Sequence, residues 1–354
     1  MTIREAKDIA KEWVLKEAVK IEGFDGAFYH GSINWLSDGD LLPLASDLDI
    51  LIVLKASSSL PPSPGSLTQP SDPAGKFIYR DLLLDVSFIS REDLSSPEQI
   101  LSTYYLAGDF AKPTFIADPS GRLADLQREV AGKYATAFWV NRRCLGARDN
   151  VLRFMDRLKE TDLLHNQVTN WLFARGVMTH ILLVAGLKNP TVRKRYVDAQ
   201  KLLAQHDALE FYEQLLELSG FHQLTRQQAE VHLASLTGIY DLACTFRRTP
   251  YQFGADISKM ARPVVIGGSQ ELIQTGFHRE AMFWIIATHC RCQQVFYQDA
   301  SPELRQQANA VFRQILSDLH IADYKDRLNS NEKARHFLPV VWRMAQTILL
   351  NHVL

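Results

Sequence analysis

Tyr29-His30-Gly31-Ser32, followed after a short helical turn and a polar loop by Ser46-Asp47-Leu48-Asp49-Ile50-Leu51-Ile52-Val53-Leu54, is the stretch on which the reading of this chain turns. Strict alternation from Ser46 places Asp47 and Asp49 on one face of a strand and Leu48, Ile50 and Ile52 on the other. Two unit negative charges about 4 Å apart repel by roughly 4 kcal/mol at an effective dielectric of about 20. Something positive is therefore expected between them. A divalent cation shared by carboxylates and phosphate oxygens is the usual answer.

Gly31-Ser32 supplies the complementary feature. A small residue and a hydroxyl at a strand-to-helix turn let backbone N–H groups approach a phosphate. A third acid, Asp85, lies mid-run in Leu82-Leu83-Leu84-Asp85-Val86-Ser87-Phe88-Ile89 among apolar neighbours, where an ionised carboxylate needs a partner. Arg80 is one structural candidate, and a shared cation is the other.

Gly31-Ser32, then Asp47-Leu48-Asp49, then Asp85 on a later strand, resembles the nucleotidyltransferase superfamily that includes DNA polymerase beta and the antibiotic nucleotidyltransferases. The likeness covers roughly residues 1–135. Fourteen residues separate Ser32 from Asp47, toward the long end for that family, and Ser37-Asp38-Gly39-Asp40 in the gap reads as a turn. The resemblance implies Asp47, Asp49 and Asp85 as catalytic ligands of magnesium, with two ions and a nucleoside triphosphate, ATP as first choice; Asp85 reads either as the third ligand or as the base that takes the proton of the acceptor hydroxyl. It implies Gly31 and Ser32, with Ser46 at the strand start, as phosphate contacts. A basic side chain filling the gap among the three aspartates would leave this chemistry without a mechanism.

At 354 residues the chain suits two domains. The expected architecture is α+β: a small mixed β-sheet nucleotidyltransferase domain over residues 1–135, then an all-helical domain over 136–354 that covers substrate and nucleotide. A Ser/Pro-rich stretch at 56–75 reads as a flexible loop, either a surface insertion or a lid. Lys76 to Tyr79 and Leu82 to Ile89 read as a hairpin turned near Arg80-Asp81. Helices are expected from Thr2 to about Ile21, from Ser96 to about Ala107 and from Asp118 to Tyr134. Beyond Ala137 the helical pattern runs nearly to the end, with Ser269 to Arg291 as one helix. Trp35 is expected to wedge into the first core.

In the helical half, Lys188, Arg193, Lys194 and Arg195 form the densest positive cluster. Lys194 with its neighbours is expected either to meet the triphosphate or to form a solvated helix face. Glu280, in His278-Arg279-Glu280, is a base candidate against a core role. His165 and His180 read as hydrogen-bonded core histidines. Cys144, Cys244, Cys290 and Cys292 lack metal-ligand spacing and read as thiols.

Charged residues at 22% and a net charge of −1 are ordinary for a globular protein and give no basic field. That argues against nucleic acid as a partner; the small-molecule acceptor is what the resemblance to the antibiotic nucleotidyltransferases implies. No leader pattern opens the sequence, and Val177 to Leu187 fits a core helix, so a cytoplasmic protein with no membrane association is expected. Three functions are consistent with these residues: nucleotidyl transfer to a small-molecule hydroxyl, transfer to a protein or RNA end, and non-catalytic nucleotide sensing.

Overall fold

The period-two segments assemble into one five-stranded mixed sheet. A computed structural model describes residues 1–43, 45–55 and 75–353. The strands are β1 (Phe24–His30), β2 (Leu48–Leu54), β3 (Gly75–Tyr79), β4 (Leu82–Ser90) and β5 (Phe115–Ala117), in the order β3-β4-β2-β1-β5. β2 and β4 run parallel, and the other neighbours are antiparallel. The stretch read as a lid or insertion, apart from Gly75, lies outside the described residues.

Alternation along β2 sorts its side chains between two cores. Leu48, Ile50 and Ile52 join Leu84 and Val86 beneath α1 (Ile3–Lys16), whose Ile3, Ala6, Ala10, Trp13 and Val14 are buried against them. Thr2 and Glu5 form a capping box that starts this helix. It ends at Lys16, short of the expected Ile21, and a 3-10 turn over Ala18–Lys20 follows. Leu51 and Val53 point the other way, to Phe28, Phe110 and the buried faces of α2 (Pro97–Ser102) and α3 (Arg122–Lys133). A central strand buried on both faces leaves room for charge only at its end, and Asp47 and Asp49 lie there.

The hairpin turns where expected. Arg80 and Asp81 both take left-handed backbone, with φ of 48° and 64°, as a two-residue primed turn requires. Ile33, rather than Trp35, is the buried residue of the 3-10 turn Gly31–Trp35. Trp35 is half-buried and close enough to Gly108 that a Cβ there would lie 2.9 Å from its ring.

The chain divides into two compact units: Met1–Arg143 with Pro250–Val264, and Cys144–Thr249 with Val265–Leu354. The division falls inside α4 (Ala137–Asp156), downstream of the expected boundary, and the return of 250–264 to the first unit has no counterpart in the sequence reading. The second unit is helical: α5 (Leu164–Ala185), α6 (Arg195–Ala204), α7 (Leu209–Leu218), α8 (Arg226–Phe246), α9 (Gly268–Gln274), α10 (His278–Asp299), α11 (Pro302–Asp318) and α12 (Tyr324–Val353). The expected Ser269–Arg291 helix is two helices, separated at Gly276, whose φ of +92° ends α9.

α5 has the length and apolar composition to cross a membrane, yet 83% of its most apolar window is buried inside the protein, as in a core helix. Its His165 and His180 are buried and bond to Gln294 and to the Thr191 carbonyl. Arg175 and Arg195, both 1% exposed, lie over the rings of Trp171 and Phe283 at 4.5 and 3.9 Å.

Candidate metal centre

Register builds the site. His30 pairs with Asp49, Asp49 with Asp85, and Asp85 with Lys76, so one rung crosses β1, β2, β4 and β3 as base, acid, acid, base. Residues directly opposite on neighbouring strands share a face. Asp47, two residues before Asp49, joins the same face. One carboxylate oxygen from each of Asp47, Asp49 and Asp85 lies within 4.8 Å of the others, and all three residues are half-buried. The donor set is all oxygen and strongly anionic, and these residues fit a hard divalent cation.

Gly31 is shaped by the same cluster. Its φ is +68°, and a Cβ there would lie 2.8 Å from Asp49 Oδ2, so backbone must pass where any side chain would strike the carboxylate. Ser32 is exposed, and among the described residues nothing bonds its hydroxyl. Ser46 is half-buried and its N–H donates to the Pro43 carbonyl at 3.0 Å.

A basic side chain does lie in the gap, the outcome that leaves the expected metal chemistry without a mechanism for as long as that side chain stays there. Lys76 Nζ donates to both Asp47 Oδ2 and Asp85 Oδ2, and stands 3.5 Å from Asp256 Oδ1. Its side chain is only 5% exposed. Desolvation works against the ammonium, but Asp47, Asp85, Asp256 and Asp49 together overcome it and hold its pKa well above the ordinary lysine value. Burial, then Asp47 and Asp85, push Asp49 well above the usual carboxylate range, against the pull of Lys76 and His30. Asp85 is raised by burial too, with Lys76 opposing. The partner of Asp85 is thus Lys76. Arg80 pairs with Glu12 at 2.5 Å instead.

Lys76 contacts Asp47, Asp85 and Asp256, while the second base on the rung, His30, is engaged by another acid, Asp109. Asp109 was not singled out by sequence. It is 3% exposed, contacts His30 Nδ1, and accepts from the Gly31 N–H at 3.3 Å and the Asn34 amide at 2.9 Å. The Gly31 N–H is therefore directed at Asp109, not at the open side where a phosphate contact was expected. Burial opposes charge on His30, and Asp109, with smaller pulls from Asp49 and Asp85, lifts its pKa to about 9.

Burial divides the expected positive cluster. Arg195 turns into the core of the second unit, while Lys188 and Lys194 are exposed and Arg193 is half-buried. Lys194 is the N-cap residue of α6, and the carboxylate cluster is built without it. Glu280 is 2% exposed and accepts from the Tyr212 hydroxyl at 2.5 Å, the geometry of a core group. Cys144, Cys290 and Cys292 are buried and all four cysteines are free thiols. Neither the protein-family models nor the curated proteins contain a match to this chain.

Proposed function

We propose that the protein is a magnesium-dependent nucleotidyltransferase of the DNA polymerase beta-like superfamily, moving a nucleoside monophosphate to a hydroxyl of a small molecule and releasing pyrophosphate. AMP from ATP is the first choice. The supporting observation is the alignment of Asp49 with Asp85 on parallel central strands, with Asp47 two residues away and the three carboxylates within ligand reach of one another. Asp47, Asp49 and Asp85 would hold magnesium, which when bound supplies charge stabilisation at the transferring phosphate and the leaving pyrophosphate.

This chain's own part is positioning. The exposed Ser32 hydroxyl, opening a 3-10 turn next to Asp49, is available to a phosphate oxygen. Asp109 fixes that turn from behind through His30, Gly31 and Asn34. The buried flanks of β2 hold the two acids at one strand end, so little reorganisation is needed when charge develops. A cytoplasmic location, where nucleoside triphosphates are abundant, belongs to this proposal.

Lys76 favours a second reading. If its ammonium stays on Asp47 and Asp85, the protein binds a nucleotide without turning it over, as a sensor. Labelled ATP, magnesium and a panel of hydroxylated acceptors separate the two. Pyrophosphate release lost in Asp47→Ala and Asp49→Ala supports the transferase. ATP binding unchanged in those variants, with no turnover on any acceptor, supports the sensor. Label in a protein or RNA fraction instead redirects the acceptor to a macromolecule.

A further inference from the structure

We infer that Lys76 is an exchangeable counterion: it holds Asp47 and Asp85 together without metal, and its ammonium transfers to Asp256 when a divalent cation takes those carboxylates. This rests on the metal-centre reading above and adds a residue pair to it. Three observations carry it. Lys76 touches two of the three candidate ligands and is 5% exposed, so it occupies space that a shared cation needs. Register pins its backbone opposite Asp85, so the ammonium can yield only by swinging about its own side-chain bonds. A second acceptor is already within that swing, because Asp256 Oδ1 is 3.5 Å from Nζ and belongs to the same compact unit.

The exchange keeps the lysine paired throughout, so no buried ammonium is left without a carboxylate. It also gives Asp256, which lies in a 3-10 turn over Gly254–Asp256, a role as positioning residue at a distance from the chemistry. The strength of cation binding is then the difference between two lysine positions and not a property of the three acids alone.

Calorimetric titration of the full chain with magnesium alone, without nucleotide, tests this. Lys76→Met should bind magnesium about tenfold or more tightly than wild type, because a competing unit charge has gone. Asp256→Asn should weaken binding, and should weaken it far less in the Lys76→Met background. The double variant Lys76→Met/Asp256→Asn removes one base and one acid together, so it remains usable if Lys76→Met alone fails to fold by circular dichroism. It should bind more tightly than Asp256→Asn. Equal affinities of wild type and folded Lys76→Met, or of Asp256→Asn and the double variant, overturn the exchange and leave the metal centre standing. Equal weakening by Asp256→Asn in both backgrounds overturns the part given to Asp256. No magnesium uptake by wild type, Lys76→Met or the double variant overturns the metal centre itself.

Discussion

Replacing Asp109 by asparagine keeps the side-chain shape and removes the charge, so it isolates what that carboxylate does for His30 and the turn after it. Asp109 is 3% exposed and serves three groups, the His30 ring, the Gly31 N–H and the Asn34 amide. Burial alone would depress the pKa of His30, yet Asp109 and the more distant Asp49 and Asp85 raise it from 6.5 to about 9. Between those two values the folded protein keeps a proton that the unfolded chain has released. The stabilisation is therefore complete below the lower value and lost as pH rises through the upper one. At about 1.4 kcal/mol per pH unit, the whole contribution is about 3 kcal/mol. Urea unfolding of wild type should show that loss between about pH 6 and pH 10. Asp109→Asn should start lower by about 2–3 kcal/mol at the acid end and lose much less across the window. NMR titration should place the His30 midpoint near 9 in wild type and well below that in the variant. A wild-type stability that is flat across the window, or a His30 midpoint unmoved by Asp109→Asn, would refute the reasoning.

Gly31→Ala should destabilise the protein by about 1–3 kcal/mol in thermal melts, through left-handed backbone strain, and should weaken magnesium binding because the new Cβ would lie 2.8 Å from Asp49 Oδ2. Unchanged magnesium affinity in a folded variant counts against Asp49 as a ligand. Gly176→Ala places a Cβ 2.3 Å from the Phe283 ring and 2.7 Å from the Arg195 guanidinium, an overpacking expected to cost about 1–3 kcal/mol by urea unfolding; a neutral result means that Phe283 and Arg195 can move aside. His289 is 0% exposed, and among the described residues neither ring nitrogen has a hydrogen-bond partner. Burial, then His232, lowers its pKa to about 3. The unfolded chain binds that proton first, so stability is full above about pH 6.5 and falls as the pH drops toward the folded value. His289→Leu should lose several kcal/mol less than wild type between about pH 7 and pH 4 in urea titrations; parallel losses in both proteins would contradict this.

The mixed sheet, the helical remainder and the three acids were legible because each leaves a local periodic trace. Lys76 was legible in principle and overlooked. A two-residue turn at Arg80-Asp81 pairs Tyr79 with Leu82, and stepping back three residues on each side sets Lys76 opposite Asp85. Arg195 could likewise have been assigned to a core, since Ala199 and Leu202, four and seven residues later on the same helix face, are apolar and buried. Asp109 left no such trace. Its partners His30 and Gly31 are 79 and 78 residues away, and nothing near it in the chain signals a carboxylate about to be buried. The attachment of residues 250–264 to the first unit was hidden for the same reason, as that stretch has neither a strand nor a helix period.

That attachment limits how the protein can be taken apart. The polypeptide departs from the sheet-bearing unit at residue 143, revisits it for fifteen residues, and departs again after 264. A gene fragment stopped at 143 would encode all five strands but omit Asp256, and with it the acceptor toward which the lysine swings. Activity missing from such a truncation would say nothing about whether the helical half is needed for turnover. Only a splice that carries the fifteen-residue strap along with the sheet asks that question fairly.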